Sequence, residues 1–78
     1  MIPNDMIPQI EHDVFEHIFK DKMSPAESLC FTIYVDYSMS KNTSLEWIIE
    51  LTGLEIKLSS FRSYVRRARK KYRENRSS

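Results

Sequence analysis

The chain has 78 residues, of which 41% are hydrophobic and 29% charged, with one glycine and three prolines. This length and composition predict one small globular domain over residues 1–78 and exclude a large multi-domain enzyme. The formal net charge of +1 conceals a division, because residues 1–60 contain four basic and ten acidic side chains whereas residues 61–78 contain eight basic side chains and one acidic. A polyanion would therefore be attracted to one end of the molecule and repelled by the other.

The single cysteine, Cys30, cannot form an intramolecular disulfide, and its apolar neighbours predict that it is buried. No apolar stretch approaches the roughly 20 residues that span a bilayer, and the first residues lack the basic region of a signal peptide. We therefore expect a cytoplasmic protein that does not enter a membrane. His12 and His17 face different sides of a helix, which favours two partly exposed imidazoles over a metal site. We expect no metal and no cofactor.

The first predicted helix follows Pro8, a residue suited to the first turn, and ends near residues 20–22. Residues 1–7 before it and residues 75–78 at the other end are expected to be flexible. The apolar positions of this helix recur at helical spacing. They are Ile10, Val14, Phe15, Ile18 and Phe19.

The second predicted helix begins at a strong start signal, with Ser24 as the N-cap, Pro25 in the first turn and Glu27 completing a capping box. The segment that follows, residues 28–37, is rich in β-branched and aromatic side chains. Propensity alone would make this segment a strand. The cap favours a helix, which is the interpretation we prefer.

Residues 38–42 interrupt the periodicity, and Thr43 with Glu46 forms a second capping box that predicts the start of the third helix. Trp47 is expected to pack in the core. Gly53, the single glycine, lies where a left-handed helix end would need it. The predicted apolar face of this helix consists of Leu45, Ile48, Ile49 and Leu51.

The last predicted helix is capped by Ser59 or Ser60 and carries an apolar stripe at spacings of four, three and four. Most of its other positions are basic. The apolar stripe consists of Phe61, Val65, Ala68 and Tyr72. Four helices without a certain strand predict an all-α domain with a long basic C-terminal helix.

The third helix, the turn at Gly53 and the basic last helix are together typical of a helix-turn-helix, in which the second helix enters the major groove of DNA. Leu54 is expected to pack behind the turn and fix the angle between the two helices. A glycine between helices is also an ordinary C-cap, and basic residues near a helix end also complement its dipole, but the number of cations exceeds that need. The predicted DNA-binding residues are Lys57, Ser59, Ser60, Arg62, Ser63, Arg66, Arg67, Arg69, Lys70 and Arg73.

Three segments of the chain also carry a family resemblance. They are Ser24-Pro25-Ala26-Glu27, the run Ile48-Ile49-Glu50-Leu51-Thr52-Gly53-Leu54 and the run Arg67-Ala68-Arg69-Lys70-Lys71-Tyr72-Arg73-Glu74. With this order they resemble region 4 of bacterial sigma factors and the related small four-helix regulators, over about residues 24–74. The resemblance departs from the family at Ile49, where a small residue is usual, and in a longer turn after Gly53.

The resemblance implies binding of promoter-type duplex DNA, with Ser60, Arg62, Ser63 and Arg66 facing the groove, and it would permit contact with RNA polymerase. Nothing in the chain corresponds to the sigma region that melts promoter DNA. A small bacterial or phage regulator is therefore favoured over a complete sigma factor.

These features together lead us to expect a non-enzymatic, sequence-specific regulator of transcription that binds double-stranded DNA. A homodimer contacting two half-sites is expected, joined through Ile10, Phe15, Ile18 and Phe19 unless these side chains complete the monomer core. The alternative is an adaptor that binds RNA polymerase or another acidic protein surface without contacting bases. Catalysis is not expected, because the chain has no glycine-rich phosphate loop and no activated nucleophile around Cys30.

Overall fold

Four α-helices make up most of residues 1–76, the part of the chain that the structure, a computed structural model, describes. They are α1 (Ile7–Lys20), α2 (Pro25–Phe31), α3 (Lys41–Thr52) and α4 (Leu58–Arg76). A 3-10 turn, Asn4–Met6, precedes α1, and a π-helical segment, Thr32–Asp36, continues α2. No strand occurs in residues 1–76, so the prediction of an all-α domain is confirmed.

The start of α2 has both halves of the predicted capping box. Ser24 Oγ accepts a hydrogen bond from the Glu27 N–H at 3.2 Å, and Glu27 Oε1 accepts one from the Ser24 N–H at 2.9 Å. The helical interpretation of residues 28–37 is also confirmed, although the segment widens into a π-helix in which the Tyr37 N–H donates to the Thr32 carbonyl at 3.0 Å. The capping signal therefore outweighs the β-propensity of these residues.

Replacing Ser24 by alanine is expected to lower the free energy of unfolding by about 1 kcal/mol, because the Glu27 N–H at the helix start loses its side-chain acceptor. Urea unfolding followed by circular dichroism measures this loss. Ser59→Ala is the matched control, since Ser59 is exposed inside α4 and caps no helix. Equal stability of the Ser24→Ala variant and the original chain would show that the capping box contributes nothing.

The third helix begins earlier than predicted. Its N-cap is Ser40, whose Oγ accepts from the Thr43 N–H at 3.1 Å, so the prediction of Thr43 as the cap is wrong. Starting the helix at Lys41 places Ser44 in the buried interior, where its N–H donates to the Ser40 carbonyl at 2.8 Å. At the other end Gly53 has φ +73° and donates to a carbonyl of the last turn, as predicted.

The last helix also begins earlier than predicted, at Leu58. Ser59 and Ser60 therefore lie within its first turn, and the prediction that one of them is the cap is wrong. The Phe61 N–H donates to the Lys57 carbonyl at 2.9 Å, so the acceptor of this helical hydrogen bond lies before both serines.

Two apolar side chains near the α3–α4 turn are more exposed than predicted. Leu54 is 67% exposed, so it does not pack behind the turn, and Ile49 is 41% exposed, so it does not belong to the buried face of α3. The corresponding predictions are wrong. The inward-facing side chains are nearby: Ile48, next to Ile49, is buried, and Ile56, two residues after Leu54, is partly buried.

The core lies where α2 meets α1, α3 and α4. Its main cluster is formed by Ile2, Ile10, Cys30, Ile33, Trp47, Ile48, Phe61 and Val65, and a smaller one by Met23, Phe31 and Ala68. The predicted burial of Cys30, Trp47 and the α4 stripe through Ala68 is thus confirmed. Burial raises the pKa of the Cys30 thiol to about 12.

The chain ends are described to different extents. Ile2 is buried and its N–H donates to Glu50 Oε2 at 3.0 Å, while Asn75 and Arg76 form the end of α4. Ser77 and Ser78, also expected to be flexible, lie outside the described residues. Within residues 1–76, no helix combines the length and apolar character needed to cross a membrane.

Candidate nucleic-acid interface

Four arginines of α4 form one stripe, which we call the arginine stripe. They are Arg62, Arg66, Arg69 and Arg73, at spacings of four, three and four, so they lie along the same side of the helix. All four line one open depression of about 320 Å³, beside Phe61 and Val65. Within residues 1–76, no carboxylate forms an ion pair with Arg62, Arg66 or Arg69.

Lys41 and Tyr34 complete the same depression from neighbouring elements. Lys41 is the first residue of α3, directly after the Ser40 cap, so its ammonium group lies at the helix end that carries partial positive charge. Tyr34 packs edge-on against Phe61 with ring centroids 5.4 Å apart. Neither residue was among the predicted site residues. Recognising Ser40 as the cap would have placed Lys41 at a helix N-terminus.

The opposite flank of α4 is bound to α2. Lys71 Nζ lies 2.6 Å from Glu27 Oε1 and Arg67 Nε lies 3.5 Å from Glu27 Oε2, and the Glu27 side chain is only 6% exposed. Burial would raise the pKa of Glu27, but hydrogen bonds from Lys71 and Ser24 outweigh it and hold the pKa below its ordinary value. Arg67, one of the predicted DNA-binding residues, therefore belongs to an ion-pair cluster with α2.

The other predicted site residues are spread around the start and the outer side of α4. Ser59, Ser60 and Ser63 line a second depression with Tyr64 and Arg67. Ser59 is exposed, whereas Ser60 and Ser63 are half-buried. Lys57, just before the helix, and Lys70, on its outer side, are exposed. The predicted residues within α4 thus lie on more than one side of the helix, and Lys57 lies outside it.

The C-terminal end of α4 is held by Asp21, in the loop after α1. Arg76 Nε donates to Asp21 Oδ1 at 2.7 Å, Arg76 Nη2 donates to Asp21 Oδ2 at 3.1 Å, and Asn75 Nδ2 donates to the Asp21 carbonyl at 3.0 Å. Arg76 also lies over the Tyr72 ring, 5.3 Å from its centroid. These contacts fix the position of the last turn of α4, the helix that carries the arginine stripe.

His17 lies between Asp21 and Asp36 and links the loop after α1 to the π-helical segment. Its Nδ1 lies 2.7 Å from Asp21 Oδ2 and its Nε2 lies 2.6 Å from Asp36 Oδ2, and the residue is 6% exposed. The prediction of a partly exposed imidazole is therefore wrong for His17. A neutral imidazole has one N–H, so only the protonated ring can donate to both carboxylates. Burial would lower the pKa of His17, but the hydrogen bonds to Asp21 and Asp36 outweigh it and raise the pKa.

One group on α1 has ligand atoms close enough to surround a cation. Atoms of His12, Asp13 and Glu16 lie within 4.8 Å of one another. Two of these side chains already have partners, because Asp13 accepts from the Tyr37 hydroxyl at 3.0 Å and Glu16 is paired with Lys20 at 3.0 Å. Because protein contacts already engage both carboxylates, we do not propose a metal site here.

Comparison of the chain with protein-family models, with curated proteins and with solved structures finds no match.

Proposed function

We propose that the chain is a non-enzymatic, sequence-specific regulator of transcription that binds double-stranded DNA through α3, the turn after Gly53 and α4, acting as a helix-turn-helix. The single observation that carries the proposal is the convergence of five cations on one depression, four from the arginine stripe and one from Lys41. Five converging cations form a surface that attracts a polyanion rather than a set of isolated surface charges.

The arginine stripe suits a phosphate backbone. The distance from Arg62 to Arg73 is eleven residue steps, about 16 Å at the rise of an α-helix. Guanidinium groups donate in pairs to phosphate oxygens, and the backbone N–H groups at the start of α3 add partial positive charge beside Lys41. We assign Arg66, Arg69, Arg73 and Lys41 to phosphate contacts.

The first turns of α4 offer the residues for base contacts. In a helix-turn-helix the N-terminal part of the second helix contacts base edges. Ser59 and Ser63 have short polar side chains that allow close approach, and Arg62 can donate in pairs to a guanine. We assign these three side chains to the major groove. A homodimer on two half-sites belongs to the proposal, because one small module offers few contacts.

Selection of bound duplexes from a random pool, followed by anisotropy titrations of the best duplex at several salt concentrations, tests the proposal. We expect a defined preferred sequence and a log-log salt slope of about −3 to −4 for each bound copy, as for the four phosphate contacts assigned above. An unrelated duplex should bind more weakly with a similar slope, because phosphate contacts do not depend on sequence.

Two results would contradict the proposal: no binding of any duplex at low salt, or binding that salt leaves unchanged. The adaptor hypothesis makes a different prediction for the same chain. It predicts that no preferred sequence emerges and that a complex with RNA polymerase or another acidic protein survives nuclease treatment. Recovering such a complex with no selected sequence would replace the DNA-binding proposal.

A further inference from the structure

One polar residue of the depression beside the arginine stripe has no role in the proposed function. Tyr34, in the π-helical segment, lines this depression together with the four arginines and Lys41. Among the described residues that line it, every other polar side chain is a cation. The Tyr34 hydroxyl is therefore the one neutral hydrogen-bonding side-chain group of these residues.

The Tyr34 ring is held in place by the core. It is half-buried and packs edge-on against Phe61, which is only 1% exposed. Ile33, the residue before Tyr34, is fully buried and fixes the backbone from the other side. Because Phe61 precedes Arg62 directly in α4, the ring contact also sets Tyr34 beside the start of the arginine stripe. The position of the tyrosine is thus determined before any ligand binds.

The hydroxyl group of Tyr34 is left without a partner in the protein. Within residues 1–76, no group forms a hydrogen bond with it. Its oxygen is also not among the buried side-chain atoms that lack a partner, which are Thr32 Oγ1 and Ser44 Oγ. Solvent therefore reaches the Tyr34 hydroxyl. The contrast is Tyr37, three residues later, whose hydroxyl donates to Asp13 at 3.0 Å.

We propose that the Tyr34 hydroxyl donates a hydrogen bond to a DNA phosphate that lies between Lys41 and the arginine stripe. This inference rests on the proposed function and adds a contact to it. Because the surrounding charged groups are all cations, the group that they attract is an anionic phosphate and not a neutral base edge. Tyrosine hydroxyls donate readily to phosphate oxygens, and such contacts fix the register of a protein on the duplex.

Tyr34 differs from the cations around it in what it contributes. The long side chains of lysine and arginine supply charge but lose much rotamer freedom when they are ordered, whereas the Tyr34 ring is already ordered by Phe61. A neutral donor also displaces no counterion from DNA. Tyr34 therefore adds affinity that does not depend on salt, and it determines where the phosphate lies.

Tyr34→Phe is the variant that tests the inference, because it removes the hydroxyl and keeps the ring contact with Phe61. We expect the affinity of each copy for its half-site to fall about five- to tenfold, the value of one hydrogen bond to a charged group. The loss should be the same for the selected duplex and an unrelated one, and the salt slope should be unchanged. Lys41→Gln, by comparison, should also make the slope about one unit less steep. Anisotropy titrations at several salt concentrations measure these quantities.

Tyr37→Phe is the matched control, since it removes the same atom from a residue that does not line the depression. Its hydroxyl is bonded to Asp13, so this variant is expected to have a lower urea midpoint and the original affinity for DNA. Tyr34→Phe is expected to show the reverse, with an unchanged midpoint and a reduced affinity. A purely structural role of Tyr34 would instead lower the midpoint.

Duplexes with one phosphate of each half-site replaced by a neutral methylphosphonate locate the contact. At the contacted position the phosphate charge that strengthens the hydrogen bond is missing, so the loss caused by Tyr34→Phe should shrink to less than about twofold. At the other positions the full loss should remain. A loss of the same size at every position would contradict a contact with one phosphate.

The outcomes separate this inference from the proposed function. If the original chain binds DNA and Tyr34→Phe binds it equally well, the inference is overturned and the proposed function stands. A less steep salt slope or a lower urea midpoint in Tyr34→Phe would overturn the inference as well. An original chain that binds no duplex at low salt overturns both.

Discussion

Replacing Arg66 and Arg69 together by alanine is expected to lower the affinity of each copy for its half-site about 30-fold, with little change in stability. Both side chains are exposed, line the same depression as Lys41 and form no ion pair within residues 1–76. Two lost charge-assisted contacts of about 1 kcal/mol each account for this factor. The salt slope should become about two units less steep for each bound copy, as for two phosphates no longer neutralised. Anisotropy titrations at several salt concentrations measure both quantities.

The matched control is the double variant Arg67→Ala, Lys71→Ala, which removes the same amount of charge from the other flank of α4. Both of its side chains are paired with Glu27, so this variant is expected to lose about 1–3 kcal/mol of stability because a buried carboxylate loses its partners. If the arginine stripe makes the phosphate contacts, the affinity of the folded variant for DNA should stay within about threefold of the affinity of the original chain.

A narrower comparison remains informative if the control double variant does not fold. Arg66 and Arg67 are adjacent, of the same type and both exposed, and they lie on different flanks. Arg66→Ala should weaken DNA binding more than Arg67→Ala. Equal losses in these two variants would mean that α4 attracts DNA through its total charge and that the arginine stripe has no special role.

The helices of this fold could be predicted because short-range signals specify them. The Ser24 capping box is present as expected, Gly53 has the left-handed conformation that its position required, and Phe61, Val65 and Ala68 of the predicted α4 stripe are buried. Each of these features depends on residues within one or two helical turns. Local spacing is therefore sufficient to predict them.

The start of a helix was predicted less well where two residues could each serve as its N-cap. Thr43 with Glu46 matches the capping-box pattern better than Ser40 does, yet the helix begins after Ser40. Ser44 lies in the interior, so packing against the rest of the chain selects the earlier start. The misplaced start also concealed Lys41 as a residue at a helix N-terminus.

The division of α4 into two flanks depends on residues that are distant in sequence. No residue near Arg67 or Lys71 in the sequence identifies Glu27 as their partner, because Glu27 lies 44 residues before Lys71 and approaches it through the packing of α2 on α4. The charge count of residues 61–78 indicated a basic helix but could not show which cations are already paired. The burial of His17 could not be predicted for the same reason: its partner Asp36 lies 19 residues away in the sequence.

Stability is expected to fall as the pH rises above about 6.5, because the folded chain binds the proton of His17 more tightly than the unfolded chain does. The two carboxylates raise the folded-state pKa of His17 above its ordinary value, which is about 6.5 in an unfolded chain. Its stabilising contribution is therefore complete below about pH 6.5 and is lost as the pH rises through the folded-state value. Burial keeps Cys30 and Tyr37 protonated in this range, because it raises both pKa values to about 12.

Urea unfolding at pH 6.5, 7.5 and 8.5 would measure this dependence as a falling midpoint, and His17→Gln is the variant that removes it. Glutamine cannot carry the proton, so the variant should be less stable by about 2–3 kcal/mol at pH 6.5 and show a flatter pH dependence. His12→Gln is the matched control: His12 is exposed on the same helix, and this change should leave both the midpoint and its pH dependence as they were. If His17→Gln kept the full pH dependence, or if the midpoint of the original chain rose toward pH 8.5, the buried proton would have to reside elsewhere. A proton on His17 allows hydrogen bonds to both Asp36 of the π-helical segment and Asp21, and Asp21 in turn binds Arg76 at the end of α4. The packing of the C-terminal end of α4 is therefore expected to weaken as that proton is lost.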